Sequence, residues 1–207
     1  MLGGVHAGSP GTLTIERRLT GAQVQRRDRV RQAARELAER GGSAAVTMDA
    51  VAERSGVARA TIYRYFASKD HLLAELAVGW AAELVAGLRA DPPPGARPAE
   101  RVAGSFRRVM QAALAHPHLT AAIVASTLSS EPEALRAQRR FASILPQILD
   151  GAIGGARIAR RAEVEAVMAH VLFSALVNTT SGRTRGDEAV AALETAAELL
   201  FVEEGNP

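Results

Sequence analysis

Residues 47–69 read TMDAVAERSGVARATIYRYFASK. The polar side chains in this stretch suit hydrogen bonding to a polyanion better than acid–base catalysis. On a short helix from about Arg59 to Phe66, Arg59, Thr61 and Tyr63 share a solvent-facing side, while Ile62 and Phe66 face a core. Arginine can donate two hydrogen bonds to a guanine, threonine can meet a thymine methyl or a phosphate, and tyrosine hydroxyls can bond backbone oxygens. Thr47 is placed to cap a preceding short helix in which Met48, Val51 and Ala52 point inward, and Gly56 allows a tight turn between the two. Two short helices about such a turn form an L-shaped unit whose second helix can enter a major groove. Packing remains an alternative for Tyr63, and Tyr65 reads as the less buried of the two tyrosines. Lys69 can be a phosphate contact or a solvated charge.

Other chemistry finds less support. The chain has no cysteine, which removes disulfides, thiol nucleophiles and cysteine metal sites. Its five histidines, His6, His71, His116, His118 and His170, are scattered. His116 and His118 lie two apart across a proline, a spacing that does not share a helical face, with no Cys or acidic cluster beside them. No catalytic residue, metal site or cofactor is expected. Residues 1–70 carry 12 Lys and Arg against 7 Asp and Glu, a net of +5, whereas residues 71–207 carry 13 against 15, a net of −2. The basic excess therefore sits with the candidate groove-reading unit. A protein that coats DNA without sequence preference would need a broader basic surface.

These residues must be positioned by helices, because apolar positions recur at helical spacing and no alternating β-pattern appears. Residues 1–22, rich in Gly, Ser and Pro, read as a flexible basic arm. Arg17, Arg18, Arg26 and Arg27 could follow phosphates or enter a minor groove, or could form an ordinary solvated tail. A first helix is expected from about Gln25 to Arg40, stopped by Gly41-Gly42. Ser68 should cap a long helix reaching about Arg89, which Asp91-Pro-Pro-Pro-Gly95 ends. Further helices are expected at about 99–115, 117–129, 132–153, 161–181 and 187–203, the third of these kinked or divided at Pro146. The expected fold is all-α: a three-helix helix-turn-helix head (23–69) on a larger helical ligand-binding and dimerisation body (70–207). No run reaches the roughly 18 uninterrupted apolar residues of a membrane span. Met1 to Gly11 does not read as a secretory signal, so the cytoplasm is the expected compartment.

The stretch resembles the DNA-binding head of the TetR family. It shares a Thr opening the second helix (Thr47), a Gly-Val turn (Gly56-Val57), Thr61-Ile62-Tyr63, the aromatic pair Tyr65-Phe66, and a Lys before the long helix (Lys69). The resemblance covers roughly residues 25–80. It implies phosphate contacts from Thr47, Tyr65 and Lys69, and groove contacts from Arg59, Ala60, Thr61 and Tyr63. Asp49 departs from the pattern, being acidic where some members carry a base-contacting Arg. The implied function is a ligand-responsive repressor released from a palindromic operator, with a helical metabolite-binding module lacking specific DNA binding as the alternative.

Reading an inverted repeat requires two heads at fixed separation, hence a homodimer. The last two helices carry apolar residues around much of their circumference: Val167, Val171, Leu172, Leu176, Val190, Leu193, Leu199 and Leu200. The resemblance implies a four-helix seam from both subunits; an ordinary core is the alternative. Phe106, Met110, Ile123, Thr127, Leu145, Leu149 and Phe173 are candidates to line a ligand pocket, or plain core. Only five of the eight aromatics lie beyond Phe66, which favours a lipid-like or acyl effector over a cationic one. Pro117-His118-Leu119-Thr120 and the Ala-rich helix after it are similar to actinobacterial regulators of sterol and lipid catabolism, some of which respond to acyl-CoA thioesters. That similarity implies that Arg107, Arg108, Arg139 or Arg140 would meet the anionic part of such an effector.

Overall fold

The computed structural model of the protein describes residues 20–201. Arg17, Arg18 and His6 fall outside them, as do residues 202 and 203 of the expected last helix. The described chain is all-α: α1 (Gly21–Ala45), α2 (Met48–Ser55), α3 (Arg59–Tyr65), α4 (Lys69–Ala90), α5 (Pro98–Ala115), α6 (Pro117–Ser126), α7 (Pro132–Ala142), α8 (Ile144–Ile153), α9 (Arg161–Thr180) and α10 (Gly186–Leu200). Among the described residues there is no β-strand.

Two local signals set α1. It begins four residues before the expected start, inside the expected arm, because Thr20 and Gln23 form a capping box in which Thr20 N–H donates to Gln23 Oε1 at 2.8 Å. Its regular part ends where expected. Gly41 and Gly42 leave helical geometry, Gly42 at φ 63°, a conformation that favours glycine.

Residues 132–153 form two helices, not one. Proline lacks the N–H for a helical bond, and its ring collides with the carbonyl four residues earlier. Four residues before Pro146 is Ala142, where α7 ends. Pro146 then sits in the first turn of α8, where backbone N–H groups have no helical partner anyway.

Head and body share one core. Val30, Ala34, Val51, Ile62 and Phe66 are continuous through Leu72, Leu73 and Trp80 of α4 with Phe106, Met110, Leu119, Leu149 and Leu193. α4 is the one described helix long and apolar enough to cross a membrane, but half of its apolar stretch is buried in this core. α1 and α4 run side by side in the same direction. Arg27 faces Glu75, the Arg31 guanidinium lies over Gly79, and Arg35 faces Glu83, so each rung joins residues 48 apart. α1 also packs on α6, which seats the head on the body. α10 packs chiefly on α5 and α9 and is bound to α5 by Arg97–Glu198 and Arg107–Glu194.

Candidate nucleic-acid interface

Thr47 caps α2 as expected, its Oγ1 accepting from Ala50 N–H at 3.1 Å. The side chain is exposed, and its own O–H stays free to donate to a phosphate. Gly56 closes α2 at φ 64°, ψ 23° and turns the chain toward α3. Space around Gly56 is open, so the constraint there is the dihedral angle alone. Gly56→Ala should therefore destabilise the protein by about 1–2 kcal/mol, measured as a lower urea midpoint with unchanged slope.

On α3, Ile62 and the closing residue Phe66 are fully buried, while Arg59, Ala60, Tyr63 and Arg64 face outward and Thr61 is half-buried. The burial order of the tyrosines is the reverse of the expectation. Tyr63 is 43% exposed, whereas Tyr65 is half-buried and packs against the core. The three-residue step from Ile62 to Tyr65 keeps Tyr65 near the inward stripe, and Tyr63 stands one residue, about 100°, around from Ile62. Arg64 was not anticipated. It lies four residues after Ala60, on the outward side, and makes no ion pair among the described residues. Helical spacing could have found it.

The Arg59 side chain does not extend freely. Its Nη1 meets Asp49 Oδ1 of α2 at 2.7 Å, Nη2 lies 3.5 Å from the Tyr63 hydroxyl, and Cζ stands 5.6 Å from the Tyr63 ring centre. Lys69 is half-buried, and its Nζ donates to the Ser43 carbonyl at 3.1 Å. That bond joins the start of α4 to the end of α1, while two ammonium protons remain for another acceptor.

Behind this surface Phe66 packs beneath Arg27 of α1, with Cζ 5.5 Å from its ring centre, and edge-on against His71 of α4 at 5.7 Å. His71 Nδ1 accepts from Ala67 N–H, which leaves Nε2 to carry the proton toward Glu75 Oε1 at 3.5 Å. Glu75 is 6% exposed and is met by groups from three helices: Arg27 of α1 at 2.9 Å, His71 of α4, and Arg140 of α7. Burial pushes the Glu75 carboxyl up, but the His71 hydrogen bond and the charges of Arg140 and Arg27 more than offset it and hold it at about 2. Arg27, expected in the basic arm, is thus turned inward; Arg26 stays exposed. The head-to-body tie through Glu75 was not legible in the sequence, since its partners lie 48 and 65 residues away.

The candidate ligand residues are dispersed. Phe106, Met110, Ile123 and Leu149 are core residues at 0–4% exposure, Leu145 packs half-buried against them, and Thr127 spends its O–H on the Val124 carbonyl. Phe173 faces outward at 43% exposure. The inward stripe of α9 runs through Val164, Met168, Ala175 and Leu176, and Phe173 is nine residues past Val164, half a turn away. An apolar cleft of about 200 Å³ opens between the end of α4, α5 and α8, lined by Val85, Leu88, Pro93, Ser105 and Ile148 among others. Ser105 and Ile148 each adjoin an expected residue, Phe106 and Leu149.

The expected seam residues also divide. Leu176 and Leu193 belong to the monomer core and Val171, Leu172, Val190 and Leu200 pack on it, whereas Val167 and Leu199 are exposed. Of the arginines expected to meet an anion, Arg107, Arg108 and Arg140 are paired with Glu194, Asp91 and Glu75. Arg139 is exposed and makes no ion pair among the described residues. No group of three or more His, Cys, Asp or Glu among the described residues could hold a metal.

A capped helix, a left-handed glycine turn and a second helix with a polar outward face, mounted on an all-α body, define a helix-turn-helix DNA-binding regulator. Residues 30–76 match the model of bacterial regulatory proteins of the tetR family, and residues 95–200 match the tetracyclin repressor-like C-terminal domain. The chain belongs to the tetR family of transcriptional regulators and is not an enzyme. It is 32% identical over 181 residues to the HTH-type transcriptional repressor KstR of Rhodococcus jostii, covering 87% of this chain and 84% of that one. A crystal structure of a TetR transcriptional regulator from Rhodococcus sp. RHA1 superposes with a TM-score of 0.75 at 29% identity, covering 87% and 98%. Thermus thermophilus FadR, a TetR-family repressor in complex with lauroyl-CoA, shares the fold with a TM-score of 0.63 at 21% identity, covering 87% and 97%.

Proposed function

We propose that the protein is a cytoplasmic repressor that binds a palindromic double-stranded DNA operator as a homodimer and is released by a small apolar or acyl-CoA-like effector. The observation that carries this reading is the mounting of α3. Arg59, Ala60, Tyr63 and Arg64 face outward while Ile62 and Phe66 seat the helix on the core beside α4, so movement of α4 is transmitted to the reading face. Residues 23–69 act as the head and residues 70–207 as the body. Arg59, Ala60, Thr61 and Tyr63 enter the groove; Thr47, Tyr65, Lys69 and Arg64 hold the phosphates.

The outer faces of α9 and α10 form the dimer seam. Support comes from Val167, Phe173 and Leu199, which are large, apolar and exposed at 43–73%. Repression is supported by KstR being named a repressor, and the effector class by the lauroyl-CoA bound to FadR. The cleft between α4, α5 and α8 is smaller than the roughly 300–1,000 Å³ of an ordinary ligand pocket. An acyl group entering there would have to displace Phe106, Met110, Leu145 and Leu149, with Ile123 and Thr127 further along on α6 and at its end. Such displacement bears on α4, and Glu75 joins α4 to Arg27 of the head and Arg140 of the body. Effector-free dimers hold the operator; effector favours a head separation that no longer matches successive major grooves.

The test is titration against labelled DNA from upstream of the protein's own gene, at several salt concentrations with excess random competitor, followed by acyl-CoA of increasing chain length. Binding that survives competitor and falls on addition of acyl-CoA supports the proposal. Acyl-CoA binding with sequence-indifferent DNA affinity points instead to a metabolite-binding module. Arg59→Ala should cost about 1–3 kcal/mol on the operator and relax base preference, whereas Tyr65→Ala should weaken operator and random duplex alike; competition titrations with both duplexes check this.

A further inference from the structure

We infer that Asp49 is a specificity-determining residue, which holds the Arg59 guanidinium in the pose with which α3 reads base edges. The inference rests on the proposal that α3 is the recognition helix. Asp49 lies in the first turn of α2 and Arg59 opens α3, so the 2.7 Å Nη1–Oδ1 contact spans the turn at Gly56. Tyr63, one helical turn beyond Arg59, supports the guanidinium from the other side through its hydroxyl and ring face.

Stability does not account for this pair. The Arg59 and Asp49 side chains are 55% and 72% exposed, and exposed ion pairs add little to folding. A carboxylate on a surface that meets phosphates also carries a repulsive cost in binding. What it supplies is orientation. The guanidinium is a planar fork of five N–H groups, of which Asp49 takes one on Nη1 and the Tyr63 hydroxyl one on Nη2. A further pair of N–H groups stays free, which is the requirement for two hydrogen bonds to guanine O6 and N7. Released from Asp49, the long and flexible side chain would swing to the nearest phosphate, which attracts any cation whatever the sequence. Loss of the carboxylate therefore moves two quantities in opposite directions: discrimination falls and affinity for random DNA rises or holds.

The test uses the full-length protein and a duplex selected by it from a randomised pool, with each base pair of the selected site then replaced in turn. The variants are Arg59→Ala, Asp49→Ala, the isosteric Asp49→Asn, Asp49→Glu, and Asp49→Ala combined with Arg59→Ala. Arg59→Ala should flatten the preference at one position per half-site by about tenfold or more. Asp49→Ala and Asp49→Asn should flatten the same position by at least about threefold, on the order of half a tenfold step in free energy, while binding random duplex as tightly as the parent or more so. Asp49→Glu should restore part of the preference, and the double variant should be no flatter than Arg59→Ala alone. Asp49 variants that keep the Arg59-dependent preference, or that weaken all duplexes equally, would overturn the role of Asp49 and leave the recognition helix standing. If Arg59→Ala alters no position, or no sequence is enriched, the recognition-helix reading fails and the role of Asp49 with it.

Discussion

Phe66→Ala is expected to destabilise the protein by about 3–5 kcal/mol and to abolish operator binding even at temperatures where the helices remain formed. Phe66 has no exposed surface, lies beneath Arg27, and meets His71 edge-on. Truncation would remove the buried ring and leave a void between α1, the end of α3 and α4, which helices fixed by Ile62, Leu72 and Leu73 can close only in part. The same void would unseat α3, since Phe66 and Ile62 are its buried anchors. Urea denaturation followed by circular dichroism would read the first effect, and operator titration at low urea the second. Phe66→Leu, which refills much of the volume, should recover most of the stability. A Phe66→Ala protein with parental stability would contradict the packing described.

The second large effect concerns Glu75 and is a function of pH. Its carboxyl is held at about 2, against an ordinary value of 4.5, by His71, Arg140 and Arg27 acting against its burial. The gap corresponds to roughly 3 kcal/mol of stability. A carboxyl whose folded value is depressed stabilises the protein fully above its ordinary value, and that stabilisation is lost as pH falls through about 4.5 toward 2. Glu75→Gln keeps the shape but has no charge to titrate. It should be less stable than the parent by up to about 3 kcal/mol at pH 7, with the difference shrinking toward zero near pH 2. Urea midpoints at pH 7, 4 and 2.5 would measure this; a difference constant across the series would show that the carboxylate's charge is not what holds α1, α4 and α7 together. Glu75→Gln should also blunt the release of DNA by effector, because α7 and α1 would no longer share a partner on α4.

Much of the fold was legible because its signals are local. The Thr47 and Ser68 caps, the glycine stops at Gly41-Gly42 and Gly56, the break imposed by Pro146 and the helical periods each depend on neighbours within about four residues. The helix-turn-helix unit is built almost wholly from such neighbours, so Arg59 and Tyr63 could be placed on its outward face, although Thr61, expected beside them, is half-buried. The Thr20–Gln23 capping box was equally local, and the T-x-x-Q spacing could have started α1 at its true position.

What tertiary structure alone decided is which partner each side chain meets. Periodicity shows that an α9 or α5 residue belongs to an apolar stripe but not whether the neighbouring surface is core, cleft or solvent. Phe173 therefore turned outward while Ser105 and Ile148, beside Phe106 and Leu149, came to line the cleft. Charges behave in the same way. In the sequence Arg27 is one of a basic cluster and Glu75 one acid in an apolar helix, and only the side-by-side alignment of α1 and α4 brings them within 2.9 Å. Asp49 reads by itself as a misplaced negative charge, and becomes the partner of Arg59 once the Gly56 turn folds α2 against α3. Caps, breaks and periods are fixed by covalent proximity; pairings across ten, 48 or 65 residues are fixed by the geometry of packed helices, which no single segment carries.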